Sequence, residues 1–404
     1  MSAAAETNDF RSHLRAWLTQ HCPAGVRGPG DIVGGGRKMP VRDLDAKRWL
    51  EVCVAHGYTV PLWPKEYGGA GLSMAQYKVW IEELMRINAR QPLMGMGTGL
   101  IGPTLLEYGT HEQKLRHLTK IASGEIRWCQ GYSEPSAGSD LASLRTRAED
   151  KGDHYLINGQ KIWTSGAQYA DWIFALVRTN PDVPKHDGIS FMLIDMDQPG
   201  VKVRPIRLIS GESPFCETFF TDAIAQKDDL VGQLNQGWTV GKRLLQHERS
   251  SVTSLAGGAR RETGPNLADI AKQYIGDTNG RIADAAVRGE VIQHEINREA
   301  FRLTQAKTVE EMRDAKTPGP ATSMFKMYGS ELMQQRLEIA VRMRGTQGLG
   351  WESVPEGSPE DAMFNNTEIG GTRGWLSSRA MSIYSGSNEI QRNIIAKRVL
   401  GLPD

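Results

Sequence analysis

The chain has almost no net charge. Its 48 lysines and arginines stand against 47 aspartates and glutamates, a balance of +1. A nucleic-acid partner would favour a basic surface, so none is expected. Little charge repulsion keeps copies apart, which permits self-association. Cysteine is scarce and scattered: Cys22, Cys53, Cys129 and Cys216 form no CxxC pair. That argues against a disulfide framework and suits a reducing compartment. No run approaches the roughly 18 apolar residues of a membrane span. The first residues, MSAAAETNDFRSHLRAW, have no secretory apolar core and carry Glu6 and Asp9, unlike a transit peptide. A cytoplasmic protein that does not enter a membrane is the expectation. A P-loop, an HExxH pair and clustered metal-ligand spacing among the nine histidines are also missing, so no metal centre is expected.

At 404 residues and 39% apolar content the chain exceeds one ordinary core. Two or three domains are expected, at ~100 to 200 residues each. Residues 1–126 read as helical: Val79, Trp80, Leu84 and Ile87 recur at helical spacing, and 105–121 continues the pattern. Glycine and proline interrupt it at 25–36 and 61–71, and the run Gly34-Gly35-Gly36 suggests a mobile segment. Residues 127–235 change period. Asn158-Gly159, flanked by 155–157 and 160–163, is a two-residue hairpin signal. Residues 172–177, 189–194, 201–206 and 218–220 add short strands, so this region is expected to be a compact β domain. Residues 236–404 turn helical again, with long segments at 238–255, 281–315, 321–344 and 376–399. The expected class is α+β, in the order helical, β, helical.

Four segments carry candidate chemistry. Gly131 to Asp140 reads GYSEPSAGSD. Its small residues let backbone amides and hydroxyls approach a flat or phosphate-bearing ligand, and Pro135 holds Glu134 extended. Read alone, it is also a surface turn. Gly159 to Gly166 reads GQKIWTSG, placing Trp163 beside Thr164 and Ser165. An aromatic face with two hydroxyls can stack on a ring system and bond its polar edge; a core tryptophan is the alternative. In QGWTVGKRLLQHERSSVTSLAGGA, from Gln236, a helix aligns Leu244, Leu245, Val252 and Leu255 in one apolar stripe. Glu248 falls on that stripe, and its neighbours Leu244, Leu245, Ser251 and Val252 offer no cation. Such a carboxylate is a candidate general base, with a long-range salt bridge as the alternative. In YSGSNEIQRNIIAKRVLG, from Tyr384, a polar break at 385–388 precedes a helix with Glu389 near its start. Amides there suit an anion such as a pyrophosphate; N-capping by Ser387 or Asn388 is the alternative. A GxGxxG at Gly97, Gly99 and Gly102 lies in a helical region with Pro103 next, whereas a dinucleotide fingerprint needs a preceding strand.

These four segments, in this order, resemble the acyl-CoA dehydrogenase family. PKEYGGAGLS (64–73), YGTHEQK (108–114), ASGE (122–125) and LVGQLNQGW (230–238) extend the likeness over essentially the whole chain. The resemblance implies an N-terminal helical domain (1–126), a central β-barrel for flavin and substrate (127–235) and a C-terminal four-helix bundle (236–404). It implies FAD, an acyl-CoA substrate and an electron-transfer flavoprotein as acceptor. The implied reaction abstracts the substrate's α proton as a β hydride moves to flavin N5, giving the trans-2-enoyl-CoA. Position by position, Tyr132 and Ser133 match residues lining the flavin ring. Trp163 and Ser165 match those beside it, and Ser387 and Glu389 those at the dinucleotide part. Ser139 matches a hydroxyl near the flavin pyrophosphate or the CoA arm, and Arg249 and Tyr384 join it on the substrate side.

Many members carry the catalytic glutamate directly after the tyrosine of the last motif, where this chain has Ser385. A smaller group, including isovaleryl- and long-chain-type enzymes, carries it on the helix after the β domain, just before an arginine. Glu248-Arg249 matches that arrangement, so the resemblance selects Glu248 as base. The family's RxxFG-type segment has no clear match around 276–288. Its QxxGG is degenerate at 344–348, with Gln347 and Gly348 at the last two positions. Both motifs serve a neighbouring subunit's FAD. Their loss resembles the large subunit of two-subunit pimeloyl-CoA or steroid-type enzymes. It implies an α2β2 heterotetramer with a paralogous subunit, a homotetramer being the alternative. Two other functions fit the same fold: a non-catalytic partner subunit, and a flavin monooxygenase or oxidase. The flavin-lining residues and Glu248 weigh against the first; an aspartate base or a distal catalytic His or Ser would have favoured the second. The small Ser385 leaves room for a branched, cyclic or bulky acyl chain.

Overall fold

The computed structural model describes residues 3–257, 266–311, 322–351 and 366–403, with side chains described except at 3–5, 248–257, 309–311, 322 and 366. The chain divides into two units, residues 1–206 with 214–252, and residues 207–213 with 253–404.

The first unit opens with α1 (Ala3–His21), α2 (Leu44–Ala55) and α3 (Met74–Arg86). Leu14 and Leu18, one turn apart on α1, meet Trp49 and Cys53 of α2 and Val79, Trp80 and Leu84 of α3 in one apolar cluster. Asp43 caps α2 through the amides of Asp45 and Ala46, and Ser73 forms a capping box with Gln76 at the start of α3. Buried Glu83 accepts from Arg11 (2.9 Å), Arg15 (2.9 Å) and Arg86 (2.5 Å), tying α1 to α3. The helical pattern over 105–121 is carried by two helices, α4 (Gly102–Tyr108) and α5 (His111–Ala122). Thr110 starts α5 afresh with a capping box to Gln113, so the apolar period continues across a break in the backbone. Gly97, Gly99 and Gly102 lie in the helical turns leading into α4, as expected of a fortuitous glycine pattern.

The run Gly34-Gly35-Gly36 is not the loose segment expected. The Gly36 amide donates to the Gly124 carbonyl at 2.9 Å, and a Cβ on Gly35 would stand 2.8 Å from that same oxygen. These glycines serve close backbone approach. Arg37, next in line, reaches fully buried Asp171 through its amide (3.3 Å) and its Nε (3.1 Å).

Eight strands follow among the described residues: β1 (Trp128–Gly131), β2 (Arg147–Asp150), β3 (His154–Ser165), β4 (Trp172–Arg178), β5 (Ile189–Asp195), β6 (Val201–Ile206), β7 (Phe215–Gln226) and β8 (Leu230–Val231). Their order is β6-β7-β3-β2-β4-β5-β8, with β1 parallel to β4. Cys129, Ala148, Ile157, Ile173, Ala175, Ile194, Phe220 and Ala223 share one cluster, and Val201, Val203 and Leu230 pack against it. Every strand thus faces a common interior, the arrangement of a rolled, barrel-like sheet. The opposite faces of β4 and β5, through Phe174, Leu176, Phe191 and Leu193, pack with Leu105 of α4 and with Leu118 and Ile121 of α5. Val240 and Leu244 of α6 (Gly237–Gly257) join the same cluster. Burial on both faces explains why β4 and β5 are continuous apolar runs.

Asn158-Gly159 does not turn a hairpin. β3 runs straight through it as a twelve-residue strand, pairing with β2 on one side and β7 on the other. The register shifts between Ile157 and Gly159 instead. Gly159 has φ of 148°, and a Cβ there would meet Thr146 at 2.7 Å. The glycine therefore makes a bulge under a close neighbour, which outweighs the local turn signal.

The second unit holds α7 (Leu267–Tyr274), a two-stranded ribbon β9 (Asp277–Thr278) and β10 (Arg281–Ile282), α8 (Ala285–Glu311), α9 (Thr322–Met343), α10 (Asn366–Ser378) and α11 (Asn388–Ile394). The helix expected from 281 begins at Ala285, because Arg281 and Ile282 pair with β9. The segment 376–399 is not one helix: Ser385 (φ 52°) and Gly386 (φ 82°) break it before Ser387 caps α11. Leu267, Ile270, Ile282, Val291, Ile339 and Met343 form this unit's core. Among the described residues no helix is long and apolar enough to cross a membrane.

Candidate functional site

The loop Gly131 to Asp140 leaves β1 under tight constraint. A Cβ on Gly131 would meet Ile173 at 2.7 Å, so glycine permits the close β1–β4 pairing. Tyr132 is buried, edge-on to Phe174 and Phe191, and a Cβ on Gly241 of α6 would lie 3.4 Å from its hydroxyl. The tyrosine thus braces the loop against the sheet and α6, and little of its ring is open to a ligand. The Ser133 carbonyl accepts from the Ile162 amide at 2.9 Å, which draws the loop alongside β3. Glu134 and Ala137 exchange two backbone hydrogen bonds of 3.0 Å, closing the turn around Pro135. Beyond it Gly138 and Ser139 are exposed, and nothing stands within 4 Å of a Cβ on Gly138. Asp140 pairs with Lys185 at 2.7 Å and anchors the far end.

Trp163 sits in a second bulge of β3, between Lys161 and Thr164. Its φ is 61°, a left-handed conformation rare for a bulky side chain. The bulge breaks the strand's alternation: Lys161 and Thr164 are fully buried, while the Trp163 indole is 53% exposed. An exposed indole held by a strained backbone is a candidate ligand-facing feature. Half-buried Ser165 follows two residues on, and Ser133 lies across the Ile162 bond. The structure therefore brings Ser133, Trp163 and Ser165 together at one edge of β3. An indole face with two hydroxyls suits a flat heterocycle with a polar rim, which fits a flavin.

Helix α6 extends past Glu248 as expected. Val240 is 2% exposed and Leu244 0%. Glu248 occupies the next position on that face, at four-residue spacing. The side chains of Glu248 and Arg249 lie outside the described residues. Just before Glu248, His247 stands 3.4 Å from Glu107, and Arg243 bonds the same carboxylate at 2.8 Å. Burial, and then the Arg243 charge, lower the His247 pKa.

The remaining candidates belong to the second unit. Gln347 and Gly348 follow α9 in a short helical turn, where the Gly348 carbonyl accepts from Thr372 at 2.9 Å. The Gln347 Oε1 is buried with no hydrogen-bond partner among the described residues. An orphaned acceptor of this kind fits a ligand or a partner chain. Arg344, at the first position of the degenerate motif, is buried against Gly371, where a Cβ would meet its Nη1 at 1.7 Å. The Ser387 hydroxyl caps α11 through the Ile390 amide at 3.4 Å, and Glu389 and Tyr384 are exposed. Ser387 therefore caps α11.

Sequence reasoning missed a buried ion pair beneath the loop. Lys161 donates to Glu134 at 2.8 Å, with neither side chain reaching solvent appreciably. The available signal was a lysine at the inward parity of Tyr155 and Ile157. It also missed the Arg37–Asp171 link, whose partners are too far apart in sequence to suggest one another.

The chain matches the family descriptions "Acyl-CoA dehydrogenase, N-terminal domain" over residues 5–125, "Acyl-CoA dehydrogenase, middle domain" over 129–223 and "Acyl-CoA dehydrogenase, C-terminal domain" over 235–400. It is 38% identical over 410 aligned positions to acyl-CoA dehydrogenase IpdE1 of Mycolicibacterium smegmatis, covering 98% of each chain. Among solved structures it is similar to the Tcur3481-Tcur3483 steroid ACAD (TM-score 0.73, 30% identity), over 100% of this chain and 99% of that one. It is also similar to a chain of the ChsE4-ChsE5 complex from Mycobacterium tuberculosis (TM-score 0.70, 27% identity), over 100% and 99%.

Proposed function

The chain belongs to the acyl-CoA dehydrogenase family, and from that premise we propose that it oxidises a bulky acyl-CoA thioester to its trans-2-enoyl-CoA with Glu248 as base. It is an oxidoreductase, and FAD is its cofactor. The observation that carries the reading is the exposed Trp163 indole, held by a bulge beside Ser133 and Ser165. These three would hold the flavin ring. By the family resemblance, Ser139, Ser387 and Glu389 would serve the phosphate and adenosine side of FAD, and Gln347 and Gly348 would serve that of a neighbouring subunit's FAD. When bound, FAD supplies the acceptor for the electron pair leaving the β carbon.

Glu248 takes the α proton of the thioester. An apolar helix face disfavours the ionised carboxylate and raises its proton affinity toward the working pH. Hydrogen-bond donors at the thioester carbonyl stabilise the enolate charge that develops as the proton leaves. Arg249, Tyr384 and Ser139 line the substrate side, and electrons pass on to an electron-transfer flavoprotein.

The acyl group is of steroid side-chain type. Likeness over the full chain to a protein described as a steroid ACAD supports this, and so does the small residue Ser385 where many members carry a glutamate. The assembly is an α2β2 tetramer with a paralogous subunit. Two of the similar structures carry paired names, Tcur3481-Tcur3483 and the ChsE4-ChsE5 complex, and the degenerate segment 344–348 would leave a neighbour's cofactor site incomplete. Anaerobic mixing with straight, branched, dicarboxylic and steroid side-chain acyl-CoA thioesters tests the substrate class. Flavin bleaching fastest with the steroid-type thioester is expected; bleaching only by short straight chains contradicts it.

A further inference from the structure

Lys161 is fully buried, and its ammonium group has three acceptors: Glu134 Oε1 at 2.8 Å, the Leu176 carbonyl at 2.7 Å and the Tyr132 carbonyl at 3.2 Å. Three donors thus meet three fixed oxygens, on the loop and on β4. Glu134 is equally committed. Its carboxylate also accepts from the amides of Arg145 (2.6 Å) and Thr146 (2.9 Å), just before β2. The pair therefore joins the loop, β2, β3 and β4. A buried ion pair of this kind seldom stabilises a fold more than a well-packed apolar pair of similar volume. What it adds is direction: all but the bond to the Leu176 carbonyl fix an atom of the loop. The atoms so fixed flank Ser133, and Trp163 lies two residues beyond Lys161 across the bulge. The hydrogen bond from the Ile162 amide to the Ser133 carbonyl, at 2.9 Å, closes the ring.

We propose that Lys161 and Glu134 are a positioning pair for the cofactor wall, locking the Ser133 loop and the Trp163 bulge into one rigid surface. The proposal rests on the flavin reading of that surface. Neither residue touches the reacting atoms; each acts through Ser133 and Trp163.

The test uses the FAD-loaded protein and three variants: Lys161→Met, Glu134→Gln and the double variant. Each single variant is expected to bind FAD about tenfold more weakly and to lose about tenfold in kcat, with KM for the acyl-CoA within about twofold. Its flavin absorption band is expected to shift, reporting an altered ring environment. The double variant regains unfolding resistance, because no unpaired buried charge remains, yet keeps the weak FAD binding and the shifted band. This split separates positioning from stability. Where a single variant does not fold, the double variant alone decides. Folded variants with the parent's FAD affinity, flavin band and kcat overturn the pair's role. A parent protein that takes up no FAD even when co-expressed with a paralogous subunit contradicts the flavin reading itself, a distinguishable failure.

Discussion

The Trp163 indole stands edge-on to the Phe215 ring, with centroids 6.2 Å apart and planes at 89°. The contact holds one edge of the indole and leaves the side chain 53% exposed. Trp163→Ala is expected to weaken FAD binding by about 3- to 10-fold, the worth of one aromatic contact. Trp163→Gly also frees the left-handed backbone. It should be more resistant to unfolding than Trp163→Ala by about 1 kcal/mol. Flavin fluorescence titration and urea unfolding check both.

Gly35 has φ of 71° and lies where a Cβ would stand 2.8 Å from the Gly124 carbonyl oxygen. Gly35→Ala is expected to destabilise the first unit by about 1–3 kcal/mol, through left-handed strain and backbone displacement. Gly289 of α8 has nothing within 4 Å of a Cβ. Gly289→Ala should therefore raise stability by about 0.5–1 kcal/mol, as alanine does in a helix interior. Equal effects in thermal unfolding of the two variants contradict this.

Burial of Glu83 opposes its ionisation, but hydrogen bonds from Arg15, Arg86 and Arg11 outweigh that and lower its pKa from 4.5 to about 2. The folded value lies below the unfolded one. The stabilisation is therefore complete above about pH 4.5 and is lost as pH falls toward 2. Glu83→Gln is expected to cost about 1–3 kcal/mol near neutral pH. The gap between variant and parent should narrow as pH drops from 5 to 3 in urea unfolding. A gap independent of pH contradicts the ionised state.

The order helical, β, helical was legible because β4 and β5 are apolar runs bounded by turns, and α6 carries Val240 and Leu244 on one face. Trp163, Thr164 and Ser165 were legible as residue types, but not that Thr164 would be fully buried while Trp163 is exposed. Gly159 reads locally as a turn, and only pairing of β3 with both β2 and β7 turns it into a bulge. Gly35 reads as slack because the Gly124 backbone it touches is far away in sequence. Tyr132 is enclosed by Phe174, Phe191 and α6, a burial its place in the sequence did not show. The Lys161–Glu134 pair escaped notice because a buried lysine is rare enough that a strand lysine is read as solvent-facing.

Arg344 wedged against Gly371 and the orphaned Gln347 Oε1 bear on the assembly. The chain produced alone is expected to lack a stable tetramer with one FAD per chain. Co-expression with a paralogous acyl-CoA dehydrogenase subunit should give an α2β2 species in native mass spectrometry. A stable homotetramer carrying one FAD per chain contradicts the two-subunit assembly.

Glu248 carries the central claim, and Glu248→Gln tests it most directly. Parent and variant, both loaded with FAD, are mixed anaerobically with the thioester that bleaches the parent fastest. The variant is expected to retain FAD and bind the acyl-CoA, while its flavin bleaches at least ~100-fold more slowly, as loss of a general base requires. Bleaching at near the parent rate would remove Glu248 from the reaction.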